Sequence, residues 1–386
     1  MSDKYSILFI GNIQSEKIRL WAKYLVSLGH KLEFLSTTPG EISNISTHYY
    51  NSTESEQESS NGIFGSVKKF WTGWDVVNKH KFDIVHVHSP FNRTLCWHAA
   101  KHPACIASIW EDINLSPDPN QEEKSLSGWL NNFLSNVSLI TLAHRGLEPK
   151  VLPELKQYQS SEIIPTGTDI ERYGNLPRIG AEKGFVRFCY VGGLVENNGP
   201  DIAIKAFDRI ADARPNTLMT IVGTGDEDYT NYLKKLVRQV GLYQRVHFTG
   251  RVTDAEFDAV LKRSDVFLFP FRKNGFGLKL LGAMAAGLPI ITSQEEGVSD
   301  LVIENVTGIT VPRNDEIAFA AAMNRMAPDE GYRQRLGKNG KDLATKLYNF
   351  ELHAERMLYL YKQIVERASI EKFSVPETQK KTKPKR

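Results

Sequence analysis

The chain has 386 residues, a length that at about 150 residues per domain predicts two domains and excludes a single small module. With 41% hydrophobic and 24% charged residues, its composition is that of an ordinary globular protein, neither disordered nor collagen-like nor coiled-coil. A formal net charge of +3 gives no reason to expect a nucleic-acid partner, and no stretch reaches the roughly 18 apolar residues of a membrane-spanning helix.

Three cysteines, Cys96, Cys105 and Cys189, are an odd number without CxxC spacing, which argues against a disulfide framework and a zinc site. A reducing compartment is expected. The first apolar run, residues 7–10, is too short for the core of a signal peptide, so the expected location is cytoplasmic.

In chain order, residues 7–10 read as a doubly buried parallel strand, followed by Gly11 and a helical stretch over 15–28 that stops at Gly29. Strands are predicted at 31–35, 83–88, 104–109, 139–142 and 162–164, with a polar loop over 51–61 and a helix near 64–79. Residues 174–184, polar and glycine-rich, read as a linker. A second alternating series has strands at 186–191, 218–222, 245–248, 266–269 and 290–291, separated by helices such as 200–213. The expected fold is α/β: two doubly wound, Rossmann-like domains, 1–175 and 176–349. A helix over 350–368 and a basic, disordered tail over 369–386 complete the chain.

The first βα turn has Gly11 but no GxGxxG, which argues against a nicotinamide dehydrogenase. Neither a Walker sequence, a GxSxG elbow nor an HExxH is present. The informative segment is 271–289, where Arg272, Lys273, Asn274, Gly275, Phe276 and Gly277 follow a strand and lead into a helix. Backbone N–H groups at Gly277, Leu278 and Lys279 would then face the carboxyl edge of the sheet and meet an anion.

Together with Tyr190-Val191-Gly192-Gly193-Leu194, Gly223-Thr224-Gly225-Asp226 and Phe248-Thr249-Gly250, this segment resembles the donor-binding domain of family-four (group 1) glycosyltransferases. The N-terminal half resembles the family through Gly29-His30, residues 83–88 and Ile164-Pro165-Thr166-Gly167-Thr168-Asp169. The resemblance implies the GT-B fold, with the two domains facing across a cleft and the last helix returning toward the N-terminal domain. It also implies a retaining, metal-independent transfer of sugar from a nucleotide-diphosphate donor to the hydroxyl of a glycan or glycolipid, with no further cofactor. Peripheral membrane contact is compatible with it. Gly192, Gly193, Gly225, Gly250, Arg272, Asn274, Phe276, Gly277, Leu278 and Lys279 are the implied donor contacts.

The departures from the family are specific. Its two glutamates, eight positions apart, are here Asn274 and Gly282, and its diphosphate-binding Arg and Lys are Gly193 and Asn198. Each charge-assisted hydrogen bond is worth ~1.5–3 kcal/mol, so losing several weakens donor binding unless replacements exist. Arg272, Lys273 and Lys279 are candidate replacement cations, and Glu295 and Glu296 candidate replacement carboxylates. A degenerate, non-catalytic GT-B protein is the alternative reading. Against it stand the retained glycines, read as places where a ligand closely approaches the backbone.

On the N-terminal side, His88 falls at the carboxyl end of a strand, where it either approaches the donor sugar or is a satisfied core residue. His86 reads as structural. Gly11, Trp110 and Asp112 are acceptor-side candidates, with helix capping the alternative for Asp112. Lys17 and Arg19 can meet an anionic acceptor or simply lie on an exposed helix face. The apolar stripe Phe64, Val67, Phe70, Trp71, Trp74 and Val77 reads as core, with a membrane-surface helix as the alternative.

Overall fold

The computed structural model describes residues 4–36, 38–49, 77, 81–89, 93–110, 128–155, 157–180, 184–272, 277–294 and 296–374, with backbone alone for 154, 296 and 371–374. These fall into two compact units. The first is Met1–Ile164 with Ala354–Arg386, and the second is Pro165–His353.

In the first unit the chain runs β1 (Ser6–Gly11), α1 (Glu16–Ser27), β2 (Lys31–Ser36), β3 (Ser46–Tyr49), β4 (Ile84–His88) and α2 (Arg93–Ala99). It continues through β5 (Cys105–Ile109), α3 (Gly128–Leu134), β6 (Leu139–Leu142), α4 (Glu148–Val151) and β7 (Ser161–Ile163). The seven strands are parallel, in the order β3-β2-β1-β4-β5-β6-β7. Residues 7–10 are fully buried, as a strand covered on both faces requires. On α1 the buried residues Ile18, Trp21, Ala22 and Leu25 recur at helical spacing, which turns one apolar stripe onto the sheet.

The second unit opens with α5 (Ile170–Gly174), capped by the Asp169 carboxylate, which accepts from Arg172 N at 2.9 Å. It continues with β8 (Val186–Val191), α6 (Pro200–Ala211), β9 (Thr217–Val222), α7 (Glu227–Gln239), β10 (Val246–Gly250), α8 (Asp254–Arg263) and β11 (Val266–Phe269). Then come α9 (Leu278–Ala285), β12 (Ile290–Ser293), α10 (Glu296–Ser299), β13 (Gly308–Val311), α11 (Glu316–Met326) and α12 (Glu330–Leu347). Its six-stranded parallel sheet has the order β10-β9-β8-β11-β12-β13. Two apolar clusters cover its faces, one centred on Phe188, Tyr190 and Phe207, the other on Phe267, Leu280 and Leu281. Two doubly wound sheets are thus observed, as expected. β3 and β13 are additions to the predicted strands.

The last helix, α13 (Phe350–Ser374), extends past its predicted end at residue 368. Its first turn belongs to the second unit, where Phe350 N donates to Thr168 O at 3.1 Å and His353 Nδ1 lies 2.9 Å from Pro165 O. From Ala354 onward the helix returns to the first unit, burying Met357, Leu360, Tyr361 and Ile364 along one face. The segment predicted as a linker is held to the second unit. Arg178 donates to Ser264 O at 2.7 Å and Gly287 O at 3.0 Å, and the Ile179 and Gly180 N–H groups share Lys262 O at 2.9 Å.

Candidate functional site

Where the strand order of a doubly wound sheet reverses, the loops leaving neighbouring carboxyl ends diverge and open a crevice, which is where such folds bind ligands. The first sheet reverses between β1 and β4, whose ends are Gly11 and His88. The second reverses between β8 and β11, which lead into Gly192-Gly193 and Phe271-Arg272.

At the first crevice His88 is 1% exposed. Its ring lies 3.9 Å from that of His86, 4.4 Å edge-on to Phe9 and 4.9 Å from Trp110, between centroids. A Cβ at Gly11 would stand 3.2 Å from the His88 Cβ, so the glycine permits this close packing. The Lys17 ammonium is buried and lies 5.8 Å from the Trp110 ring centroid, in the range of a cation–π contact. Gly11, Lys17, His88 and Trp110 therefore form one cluster. Arg19 is apart from it, donating to Glu41 O at 3.2 Å in an exposed setting. Asp112 and the 64–74 part of the apolar stripe lie outside the described residues.

His86 is structural, as expected, and its partners explain how. A buried polar chain runs from Trp21 Nε1, which donates to the Tyr361 hydroxyl at 3.2 Å, to His86 Nδ1 at 2.6 Å from that hydroxyl. It continues from His86 Nε2 to Ser108 Oγ and on to Thr141 Oγ1, each step 2.6 Å. It joins five elements: α1, α13, β4, β5 and β6.

At the second crevice the glycines serve the chain itself. Gly223 has φ +139, and a Cβ there would stand 1.9 Å from Gly192 O; one on Gly225 would stand 1.9 Å from Leu194 O. The loops after β8 and β9 are packed backbone to backbone, with Leu194 N donating to Thr224 O at 3.0 Å. Retention of Gly223 and Gly225 is thus explained by loop packing, which replaces the expected reason of ligand approach. Gly250 has φ +73 and ends β10 after a break in register between Phe248 and Gly250.

The positions that depart from the family are occupied by internal contacts. Asn198 Nδ2 donates to Gly193 O at 3.0 Å, and the Tyr190 hydroxyl donates to the same carbonyl at 2.9 Å. Gly282 faces the buried ring of Tyr173, where an added Cβ would meet Cε2 and Cζ at 3.1 and 3.2 Å. Arg272 forms a fork on Asp201, both hydrogen bonds 2.8 Å long, and also donates to Asn314 Oδ1 at 2.7 Å and to Glu196 O. Asp201 further accepts from the Tyr229 hydroxyl at 2.9 Å and Lys205 at 3.3 Å. Burial raises the Asp201 carboxyl, but the hydrogen bonds and charge of Arg272, aided by Tyr229, prevail and hold it below its ordinary value.

Gly277 caps α9, so the N–H groups of Leu278 and Lys279 point out of the helix end toward the β11 carboxyl edge. The Lys279 ammonium lies 4.6 Å above the Phe257 ring centroid. Asn274, Phe276 and Glu295 lie outside the described residues, and of Glu296 the backbone begins α10. Sequence reading missed Asp201, Tyr173 and Tyr229. A buried-helix aspartate just after Gly199-Pro200 was the one available signal, and its partner is 71 positions away in the chain.

Residues 176–343 match the family model of glycosyl transferases group 1. Over these residues the chain resembles the group 1 glycosyltransferases. It is 28% identical over 298 residues to a glycogen synthase of Mycobacterium tuberculosis, covering 72% of this chain and 68% of that one. A phosphatidyl-myo-inositol mannosyltransferase of Mycobacterium leprae is 22% identical over 381 residues, covering 93% and 95%. Among solved structures, a sucrose-phosphate synthase of Thermosynechococcus elongatus superposes with a TM-score of 0.75 at 19% identity, over 94% of this chain and all of the other. A glycosyltransferase of Rickettsia africae gives 0.77 at 16%, over 94% and 99%. The chain has the GT-B fold. No helix among the described residues is long and apolar enough to cross a membrane.

Proposed function

We propose that this protein moves a sugar from a nucleotide-diphosphate donor to the hydroxyl of a glycan or glycolipid acceptor, with retention and without a metal. One observation carries the reading. The helix α9 amides and the Gly192-Gly193 turn stand at the strand-order reversal of the second sheet, where outward N–H groups can meet the charge that develops on a leaving diphosphate. Gly192, Gly193, Gly225, Gly250, Gly277, Leu278 and Lys279 are the proposed donor side, to which the sequence resemblance adds Asn274 and Phe276. His88 is assigned to the donor sugar, and Glu295 or Glu296 to its hydroxyls. Gly11, Lys17, Trp110 and Asp112 are the proposed acceptor side, where a buried ammonium suits an anionic acceptor group. The relatives' names, a glycogen synthase and a phosphatidyl-myo-inositol mannosyltransferase, support both acceptor classes.

A second reading, a binding or regulatory protein that has lost the chemistry, is favoured by Tyr173 filling the place beside Gly282 and by Arg272 being committed to Asp201. Calorimetric titration with a panel of nucleotide sugars, followed by transfer of labelled sugar in a cell extract, separates the two. Weak, saturable binding with transfer is expected. Absence of binding to every nucleotide sugar would leave the second reading standing.

A further inference from the structure

The face of the second sheet away from Phe188 and Tyr190 is apolar over β11 and β12 but polar over its β10 edge. Thr220 on β9 stands in register with His247 on β10 and Cys189 on β8, so Thr220, His247 and, two residues before Cys189, Arg187 share that face. A strand buried on both faces reads as continuous apolar sequence, and β10 alternates instead, with His247 between Val246 and Phe248 of the apolar side.

Between that polar face and helix α8 lies an open groove of about 560 Å³, lined among others by Arg187, Thr220, His247, Arg251 and Arg263. The carboxylate among its lining residues is Glu256, and it is committed elsewhere. Its Oε2 accepts from Thr253 N at 2.7 Å and from Thr253 Oγ1 at 2.9 Å, closing the capping box of α8. No ion pair among the described residues involves Arg187, Arg251 or Arg263. Three guanidinium groups and an imidazole thus line one groove against the single carboxylate of Glu256, which its hydrogen bonds to the neutral Thr253 groups leave charged. Like charges brought together repel, and the forked, always-charged guanidinium is the side chain best matched to phosphate oxygens.

We infer that this groove binds a phosphate monoester, held by Arg187, Arg251 and Arg263 with hydroxyl contacts from Thr220 and Thr249. It lies over the β9–β10 edge, two strands removed from the β8/β11 reversal, and borders the proposed donor side at Gly250, which Thr249 and Arg251 flank. The monoester can be a soluble metabolite or the headgroup of a lipid.

The test uses the full chain. Calorimetry with glycerol 3-phosphate probes the soluble source, and co-sedimentation with phosphatidylcholine vesicles, with and without phosphatidic acid, probes the lipid source. The double variant Arg251→Gln, Arg263→Gln changes two exposed side chains, so its thermal midpoint should match that of the unaltered protein. The expected result is salt-sensitive binding of at least one probe, weakened about tenfold or more in the double variant, the size of one charge-assisted hydrogen bond. Nucleotide-sugar titration of the single variant Arg263→Gln, at the groove end away from Gly250, should be unchanged, which keeps a failure of the donor reading distinct from a failure of this one. Binding confined to phosphatidic acid vesicles names a lipid headgroup, and binding confined to glycerol 3-phosphate a soluble ligand. Equal affinity of the variant and the unaltered protein, or no binding of either probe, overturns the inference.

Discussion

A carboxylate at position 282 would have to share its place with the ring of Tyr173. Replacing a helical glycine gains up to ~1 kcal/mol of helix propensity. Overpacking against a buried ring costs ~1–3 kcal/mol, so the clash outweighs the gain. Gly282→Glu is therefore expected to lower the urea midpoint without creating donor affinity, and to cost less in a Tyr173→Leu background, as coupled neighbours do. Asp201 and Arg272 make a similar case. Asp201→Asn leaves a largely buried guanidinium with a neutral partner, and a loss of about 2 kcal/mol is expected, the size of one charge-assisted hydrogen bond. Because the folded carboxyl is held below its ordinary value of 3.8, its contribution is full above that value and fades as the pH falls below it. Acid unfolding of the unaltered protein and of Asp201→Asn should accordingly converge at low pH.

At the scale of elements, helix α9 and helix α13 invite different experiments. Lys279→Glu puts a carboxylate in the first turn of α9, where the helix dipole welcomes it, so the thermal midpoint should hold while nucleotide affinity falls. Unchanged affinity would remove this helix from the donor site. In α13, Tyr361→Phe deletes the hydroxyl that joins Trp21 to His86 and leaves two buried polar groups without that partner, at ~1–3 kcal/mol each. The expected result is a lower urea midpoint with faster hydrogen exchange along the helix. Three histidines in different parts of the chain, His30, His98 and His353, sit below the ordinary value of 6.5, chiefly through burial. The unfolded chain binds more protons than the fold below that value, so stability should be level above pH 6.5 and decline as the pH drops through the folded values.

For the whole molecule, the division into units is discontinuous in sequence. Pro165–His353 is one stretch of chain, whereas the first unit needs Ala354 onward to cover Trp21 and His86. A fragment of residues 165–353 is expected to melt cooperatively by itself. A fragment of residues 1–164 should do so when residues 354–374 are supplied as a peptide, and not without them.

Much of this organisation was legible in the sequence, because short apolar runs that alternate with amphipathic stretches leave a chain little choice but doubly wound sheets. Residues 7–10 and 266–269 read as buried strands for that reason. β3 and β13 were missed: β3 carries Ser46, Thr47, His48 and Tyr49, partly exposed at an edge, and β13 begins with a glycine. Glycine turns, the α9 cap and the substitutions at 193, 198 and 282 were equally visible as local pattern. What fills those substituted places was settled by contacts between distant parts of the chain: Tyr173 against Gly282, Asp201 under Arg272, Tyr361 between Trp21 and His86. Sequence determined the elements and where their carboxyl ends carry glycine, since both depend on neighbours along the chain. Tertiary structure decided which charges are free to meet a ligand, since that depends on which side chains the fold brings within hydrogen-bond reach.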